Sequence, residues 1–228
     1  MTKTEYLLLM SRSTLLVRHA QASFGAHDYD QLSPLGEHQA HHLGLHLAST
    51  HTQLEAIYLG DLKRHLQTFD GIRKAYRDAP EPLFTSVLNE YDPEALLNSM
   101  GFVAKDGDGK EQHFKQLRLA LRAWMAGDVT PSTMPSYAEF REGLLALLSR
   151  IRIQHKGNVL IVTSGGPIAT LVGSLLEASV EATISINFRV RNASVTELAH
   201  DDKRHHVVGL NHIGHFERLD DPKWITYV

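Results

Sequence analysis

Four β-favouring residues, Thr14-Leu15-Leu16-Val17, run straight into Arg18-His19, and there the apolar pattern stops. A short apolar run of this kind reads as a buried strand. In an open α/β sheet, ligands bind just past the carboxyl ends of the strands. Arg18 and His19 stand at such an end. Arginine there offers a planar fork of donors suited to phosphate or carboxylate. Histidine there offers a nitrogen nucleophile, or a general base near neutral pH. For the dipeptide alone, an exposed Arg-His pair at a strand edge is the plain alternative.

The alternation of apolar runs and helical patterns continues along the chain. Residues 21–31, with Gly25, Asp28 and Asp30, read as a loop. Ser33-Pro34 opens a helix expected to reach about Ser49, with Ser as N-cap and Pro at the first helical position. Leu35, Leu43 and Leu47 make its apolar stripe. Gly36, Ala40 and Gly44 form a row of small residues suited to close packing on a sheet. Leu54–Leu59 is a second buried strand, and the helix after Gly60-Asp61 is expected to reach about Arg77. Residues 83–88 are expected to form a third strand, with Glu90 just past it. Residues 91–135 change character. They hold a short helical pattern at 93–100, a turn at Asp106-Gly107-Asp108-Gly109, and a helix over 114–125 with Leu117, Leu121 and Trp124 on one side. This stretch reads as an inserted helical lid. A calcium loop is rejected, because Lys110 and Leu117 stand where oxygen ligands are needed. Ser136 caps a helix that repeats Tyr137, Phe140, Leu144, Leu147, Leu148 and Ile151 at helical spacing. Asn158–Thr163 is an apolar strand, and Ser164-Gly165-Gly166-Pro167 leads into a helix over 168–176. Residues 194–198 and 206–210 read as two final strands. Strands alternating with helices argue for an α/β sheet with helices on both faces, read as a single domain over 1–228.

Several function classes are excluded by composition. The chain has 228 residues with 23 Lys and Arg against 26 Asp and Glu, a net charge of −3. That is no basic footprint, and it argues against nucleic acid as a partner. There is no cysteine, so disulfides, thiolate metal sites and cysteine nucleophiles are out. The apolar run at 7–10 is too short for a signal-peptide core or a membrane span, so no membrane is expected and the cytoplasm is the default location. His38, His42 and His46 fall at i, i+4 and i+8. With no carboxylate in register they read as a solvated polar face, and no metal site is expected.

The strings Leu16-Val17-Arg18-His19-Ala20-Gln21 and Leu32-Ser33-Pro34-Leu35-Gly36-Glu37-His38-Gln39-Ala40 closely resemble the opening of the histidine phosphatase superfamily, the phosphoglycerate-mutase-like proteins. That family usually has Gly where Ala20 stands. The string Asp61-Leu62-Lys63-Arg64-His65-Leu66-Gln67-Thr68 is similar to the family's second arginine motif. The resemblance covers roughly 13–90 and 136–216. It implies a mostly parallel sheet with one antiparallel strand and a helical insertion over the site. It also implies that His19 is phosphorylated during turnover. Glu90 matches the family's proton donor, with Asp92 as the runner-up. Two departures stand out. Ser164 occupies the place of a second histidine, where a hydroxyl can donate but cannot carry positive charge. Gly25 occupies the place of an asparagine found in mutases and several phosphatases of the family, and Ser23 is the local replacement donor. The N–H groups of Gly165 and Gly166, at a helix N-terminus, keep an anion cradle. His212 and His215 read as structural or rim residues.

The resemblance therefore implies a phosphate monoester hydrolase that works through phosphohistidine without a cofactor and is slow on generic substrates. His19 is the nucleophile, Glu90 the acid, and Arg18 and Arg64 hold the phosphoryl oxygens together with Ser164, Gly165 and Ser23. The partner is a small phosphorylated substrate. The oligomeric state stays open, a homodimer being one alternative. A mutase is one rival reading, and a degenerate protein that binds a phosphorylated ligand without turnover is another.

Overall fold

The computed structural model describes residues 12–23, 30–50, 53–102, 109–217, 219 and 221–227. The readings placed on residues 7–10, Gly25, Asp28 and Asp106-Gly107-Asp108 lie outside these. The six strands are β1 (Ser13–Arg18), β2 (Leu54–Leu59), β3 (Pro82–Phe84), β4 (Asn158–Thr163), β5 (Val195–His200) and β6 (His205–His212). They form one sheet in the order β3-β2-β4-β1-β5-β6. β3, β2, β4 and β1 are parallel, β5 runs against β1, and β6 runs against β5. The sheet is mostly parallel with one reversed strand, as the resemblance implies.

The period-two alternation of each strand divides the core into two layers. Leu15 and Val17 of β1, with Ile57, Leu59, Leu160 and Val162, pack under α1 (Pro34–Thr50), α2 (Lys63–Ala75) and α8 (Gly214–Glu217). Leu16, with Ala56, Tyr58, Val159 and Ile161, faces the opposite layer. That layer holds α3 (Pro93–Ser99), α4 (Lys110–Ala126), α5 (Tyr137–Gln154), α6 (Gly165–Leu175) and α7 (Val180–Arg189). Trp124 of α4 is 1 % exposed. Its ring meets Tyr91, Tyr137 and Phe140, which ties the stretch after β3 to α5. Helix α5 opens on a full capping box between Ser136 and Glu139.

Four expectations change. The third strand is only Pro82–Phe84, because the chain turns at Ser86–Leu88 into a 3₁₀ turn that buries Leu88. As an edge strand β3 pairs with β2 alone, and Leu83 and Phe84 stay half exposed. In the small-residue row of α1, Ala40 and Gly44 pack on α2 rather than on the sheet, and Gly36 lies against the Gln21 backbone just past β1. A Cβ on Gly44 would stand 2.5 Å from the Ile72 carbonyl oxygen, and one on Gly71 would stand 2.4 Å from the Ala40 Cβ. The histidine face of α1 is partly covered: His42 meets Trp224 edge-on, and His46 stacks on His215. Finally, α6 begins at Gly165, and α7 falls in a stretch with no helical expectation. Its β-branched Val180, Thr183, Ile184 and Ile186 dilute the helical pattern. The legible signal is Ser179, whose hydroxyl caps it by accepting from the Ala182 N–H at 3.2 Å.

Candidate active site

The register of the parallel strands brings their carboxyl ends level. Arg18 stands opposite Thr163, and Leu59 opposite Val162. The residues that follow β1, β2 and β4 therefore meet at one edge of the sheet, where α2 and α6 begin.

His19 is held first by its backbone. Its N–H donates to the Thr163 carbonyl at 2.8 Å, and its own carbonyl accepts from the Asn192 side chain at 3.2 Å. The ring is 4 % exposed. His19 Nδ1 lies 2.7 Å from the Ala20 carbonyl. A carbonyl only accepts, so Nδ1 carries the proton and Nε2 carries the lone pair. Burial, then the charges of Arg64 and Arg18, hold the pKa well below the ordinary histidine value. The imidazole is neutral at pH 7, the state a nucleophile needs.

Two guanidinium groups share the cleft with this ring. Arg18 donates to the Val190 carbonyl at the end of α7. Arg64, on the first turn of α2, pairs with Asp30 at 2.6 Å. The other Asp30 oxygen accepts the Lys63 N–H at 2.7 Å, so one carboxylate both ties down the start of α2 and orients Arg64. Thr68, one turn on, accepts the Ala20 N–H at 2.9 Å and returns its own hydroxyl to the Arg64 carbonyl at 2.7 Å.

Glu90 follows the 3₁₀ turn. Both its oxygens accept from the Gly166 N–H at 3.1 Å. Burial pushes its carboxyl pKa up, against the opposing pull of Gly166, Arg64 and Arg18. A Cβ on residue 166 would stand 2.0 Å from Glu90 Oε1, so the carboxyl fits only against glycine. An acid with a raised pKa, beside a neutral imidazole and two fixed cations, can bind an oxyanion, attack it and supply a proton.

Arg18, His19, Arg64, Glu90 and Gly165 all line one cleft of about 1160 Å³. Helices α4 and α7 wall its far side, where Phe114 and Phe188 meet edge-on at 5.9 Å. Asp92 is also on the wall, but its carboxylate caps α3 by accepting from the Glu94 and Ala95 N–H groups. Ser164, expected to bind phosphate, is fully buried and not on the cleft wall, because its side chain turns to His65, with Oγ 2.8 Å from His65 Nε2. Ser23 is not brought to the wall among the described residues. Its N–H donates to the Gln31 carbonyl at 2.7 Å, next to a bridge between Ala22 and Leu32 that carries the chain toward α1. His212 is exposed and His215 buried, both away from the cleft.

Three residues at the site had no functional reading in the sequence. Asp30 looked like a loop residue. His65 was signalled only by its place beside Arg64. Asn187, which donates to the Tyr91 hydroxyl at 2.8 Å, sits on the helix that the sequence hid. Among the described residues no group of three or more histidine or acidic side chains is arranged to hold a metal ion. No helix among them is long and apolar enough to cross a membrane.

Comparison with solved structures places this fold beside several known ones. Bacillus stearothermophilus YhfR is 21% identical with a TM-score of 0.67, covering 90% of this chain and 99% of its own. A phosphoglycerate mutase from Bacillus anthracis is 19% identical with a TM-score of 0.64, covering 93% and 99%. A phosphoserine phosphatase from Entamoeba histolytica, solved with phosphoserine, is 19% identical with a TM-score of 0.64, covering 90% and 98%. No curated protein matches. The model of the histidine phosphatase superfamily, branch 1, matches residues 14–213. That span runs from the strand that presents His19 to the segment after the last strand, and the chain belongs to the histidine phosphatase superfamily.

Proposed function

We propose that this chain is a cytoplasmic phosphate monoester hydrolase that works through a phosphohistidine at His19. Arg18 and Arg64 hold the phosphoryl oxygens, with Gly165 at the start of α6 completing the pocket. His19 Nε2 attacks phosphorus as the P–O bond to the leaving group breaks, and protonated Glu90 gives its proton to the departing oxygen. Glu90, now ionised, takes a proton from water. The hydroxide so formed attacks phosphorus, breaks the P–N bond and releases phosphate. Glu90 ends protonated and His19 neutral, so the cycle closes without a cofactor.

One observation carries this reading. The His19 lone pair is fixed on Nε2 by the Ala20 carbonyl, near enough to two guanidinium groups to feel their charge, in the same cleft as a carboxyl whose pKa is raised. Phosphoryl transfer asks for little beyond that: a positioned nucleophile, charge at the equatorial oxygens and an acid for the leaving oxygen. Relatives of similar fold include a phosphatase and a mutase. Ser164 stands where the family has a second histidine and can carry no positive charge, which makes turnover on generic substrates slow. The test is turnover of an aryl phosphate by wild type and His19→Ala. Loss of turnover with the fold intact is expected. Equal turnover in the two proteins would overturn the reading.

A further inference from the structure

The mechanism uses one end of the cleft and leaves the rest of it without a task. The whole cleft measures about 1160 Å³, the size of a pocket for a drug-sized ligand rather than for a phosphoryl group. Phe114 of α4 and Phe188 of α7 line its far wall, with ring centroids 5.9 Å apart and planes inclined at 83°. Both rings are half-buried. Phe188 leans on the core layer that holds α3 to α7, whereas Phe114 packs into neither core layer among the described residues. A phenyl ring left half open inside a cleft is surface that an apolar ligand covers better than water does. Leu62 and Leu117 extend the same apolar wall.

The charges of the wall point the same way. Arg118 stands one turn after Phe114. Its Nη1 lies 3.0 Å from Glu181 Oε2, and its guanidinium carbon lies 5.7 Å from the Phe188 ring centroid. That guanidinium is occupied in tying α4 to α7. Beyond the two arginines assigned to the phosphoryl group, the cleft carries Asp92, Glu94 and Glu111 against Lys115 and the paired Arg118. A second anionic group on a substrate meets more acid than base here.

We infer that this wall is the leaving-group subsite and selects phosphate monoesters of uncharged, ring-bearing alcohols: the ring packs on Phe114 and Phe188 while the phosphoryl group sits at His19. The inference rests on the phosphatase reading and names a substrate class for the same site. Aromatic rings favour offset or edge-on contact with one another. A pair crossed near a right angle offers a third ring both a face and an edge. The phosphate of a small hydroxy acid gains little from these rings and brings its carboxylate toward Asp92, Glu94 and Glu111.

The experiment measures kcat/KM for 2-phenylethyl, propyl and 2-carboxyethyl phosphate, three primary alkyl esters with leaving oxygens of similar basicity. Wild type, Phe114→Ala and Phe188→Leu are compared. Affinities of wild type for 2-phenylethylphosphonate and propylphosphonate, which are not hydrolysed, are measured by calorimetry. Wild type is expected to favour 2-phenylethyl over propyl phosphate about tenfold or more, to use 2-carboxyethyl phosphate least, and to bind the phenylethyl phosphonate more tightly. Each variant is expected to lower the phenylethyl-to-propyl ratio about threefold or more. Equal kcat/KM for these two esters in wild type would overturn the inference, as would a ratio unchanged in either variant. Use of 2-carboxyethyl phosphate as good as that of propyl phosphate would overturn the selection for uncharged leaving groups. Phe188→Leu keeps apolar bulk against the core. If Phe114→Ala does not fold, Phe114→Leu replaces it, and the wild-type preference is read independently. If the esters are turned over without preference, the subsite fails and the phosphatase reading stands. If none is turned over, the phosphatase reading fails, and the phosphonates decide the subsite: tighter binding of the phenylethyl compound keeps it, and equal binding removes it. If neither phosphonate binds and no ester is turned over, both fail.

Discussion

Adding one methyl group at residue 166 should disable the acid without touching it. A Cβ there would stand 2.0 Å from Glu90 Oε1 and 2.6 Å from Tyr91 Cε1, well inside van der Waals contact. In Gly166→Ala the carboxyl has to swing away, because the glycine sits in the first turn of α6 and its backbone cannot give. The move breaks both bonds from the Gly166 N–H to Glu90. Overpacking of this kind costs about 1–3 kcal/mol of stability, which leaves room for a folded variant. The larger effect is on chemistry, since a positioned general acid is worth about 10²–10⁴ in rate. The loss should depend on the leaving group. An alkyl phosphate, whose leaving oxygen is strongly basic, needs the proton, whereas para-nitrophenyl phosphate needs it less. The assay is kcat/KM for both substrates in wild type, Gly166→Ala and Glu90→Gln, since kcat/KM reports transfer to His19 and not the later hydrolysis that both esters share. Both variants are expected to lose at least about 10²-fold on the alkyl ester and clearly less on the nitrophenyl ester. A folded Gly166→Ala with wild-type kcat/KM on the alkyl ester would refute the reasoning. An equal loss on both esters would refute the assignment of Glu90 as acid.

Two further outcomes are expected. Arg64→Ala should weaken orthovanadate binding by about 10–150-fold, the equivalent of one charge-assisted contact of about 1.5–3 kcal/mol; unchanged affinity would remove Arg64 from the anion site. Burial, reinforced by neighbouring cations or histidines, lowers the pKa values of His65, His205 and His215 to about 3. Histidine in the unfolded chain titrates near 6.5, so the unfolded state takes up protons first as pH falls. Stability is therefore fully present above about pH 6.5 and is lost progressively below it. One such site removes about 2 kcal/mol at pH 5. Urea midpoints at pH 7.5 and pH 5 check this, and an equal or higher midpoint at pH 5 would contradict it.

The parts of this architecture legible in the sequence were those set by local pattern. The runs at β1, β2 and β4 are mostly apolar because both faces of those strands are largely covered, and each stops where the sheet ends. Arg18, His19, Arg64, Glu90 and Gly165 stand directly after those stops or at the edge turn, so a strand-end argument reaches all five. What escaped depends on pairing across the chain. The turn at Ser86–Leu88 follows from β3 being an edge strand, and nothing local marks residues 85–88 as less strand-like than 82–84. Asp30 acts on Arg64 across 34 residues of sequence. Ser164 and His65 are 99 residues apart, so a hydroxyl read alone as a donor to phosphate proves to be bonded to an imidazole. Helix α7 was hidden by β-branched residues whose low helical preference is overridden by packing of Ile184 in the core.

The central claim, that His19 carries the phosphoryl group during turnover, is tested most directly by trapping it. Wild-type protein is mixed with a radiolabelled aryl phosphate, quenched within the first turnover under conditions that preserve phosphohistidine, digested and mapped. The account predicts acid-labile, base-stable label on the peptide containing His19, and none in His19→Ala. Label on another residue, label that persists in His19→Ala, or turnover with no covalent label at any quench time would contradict it.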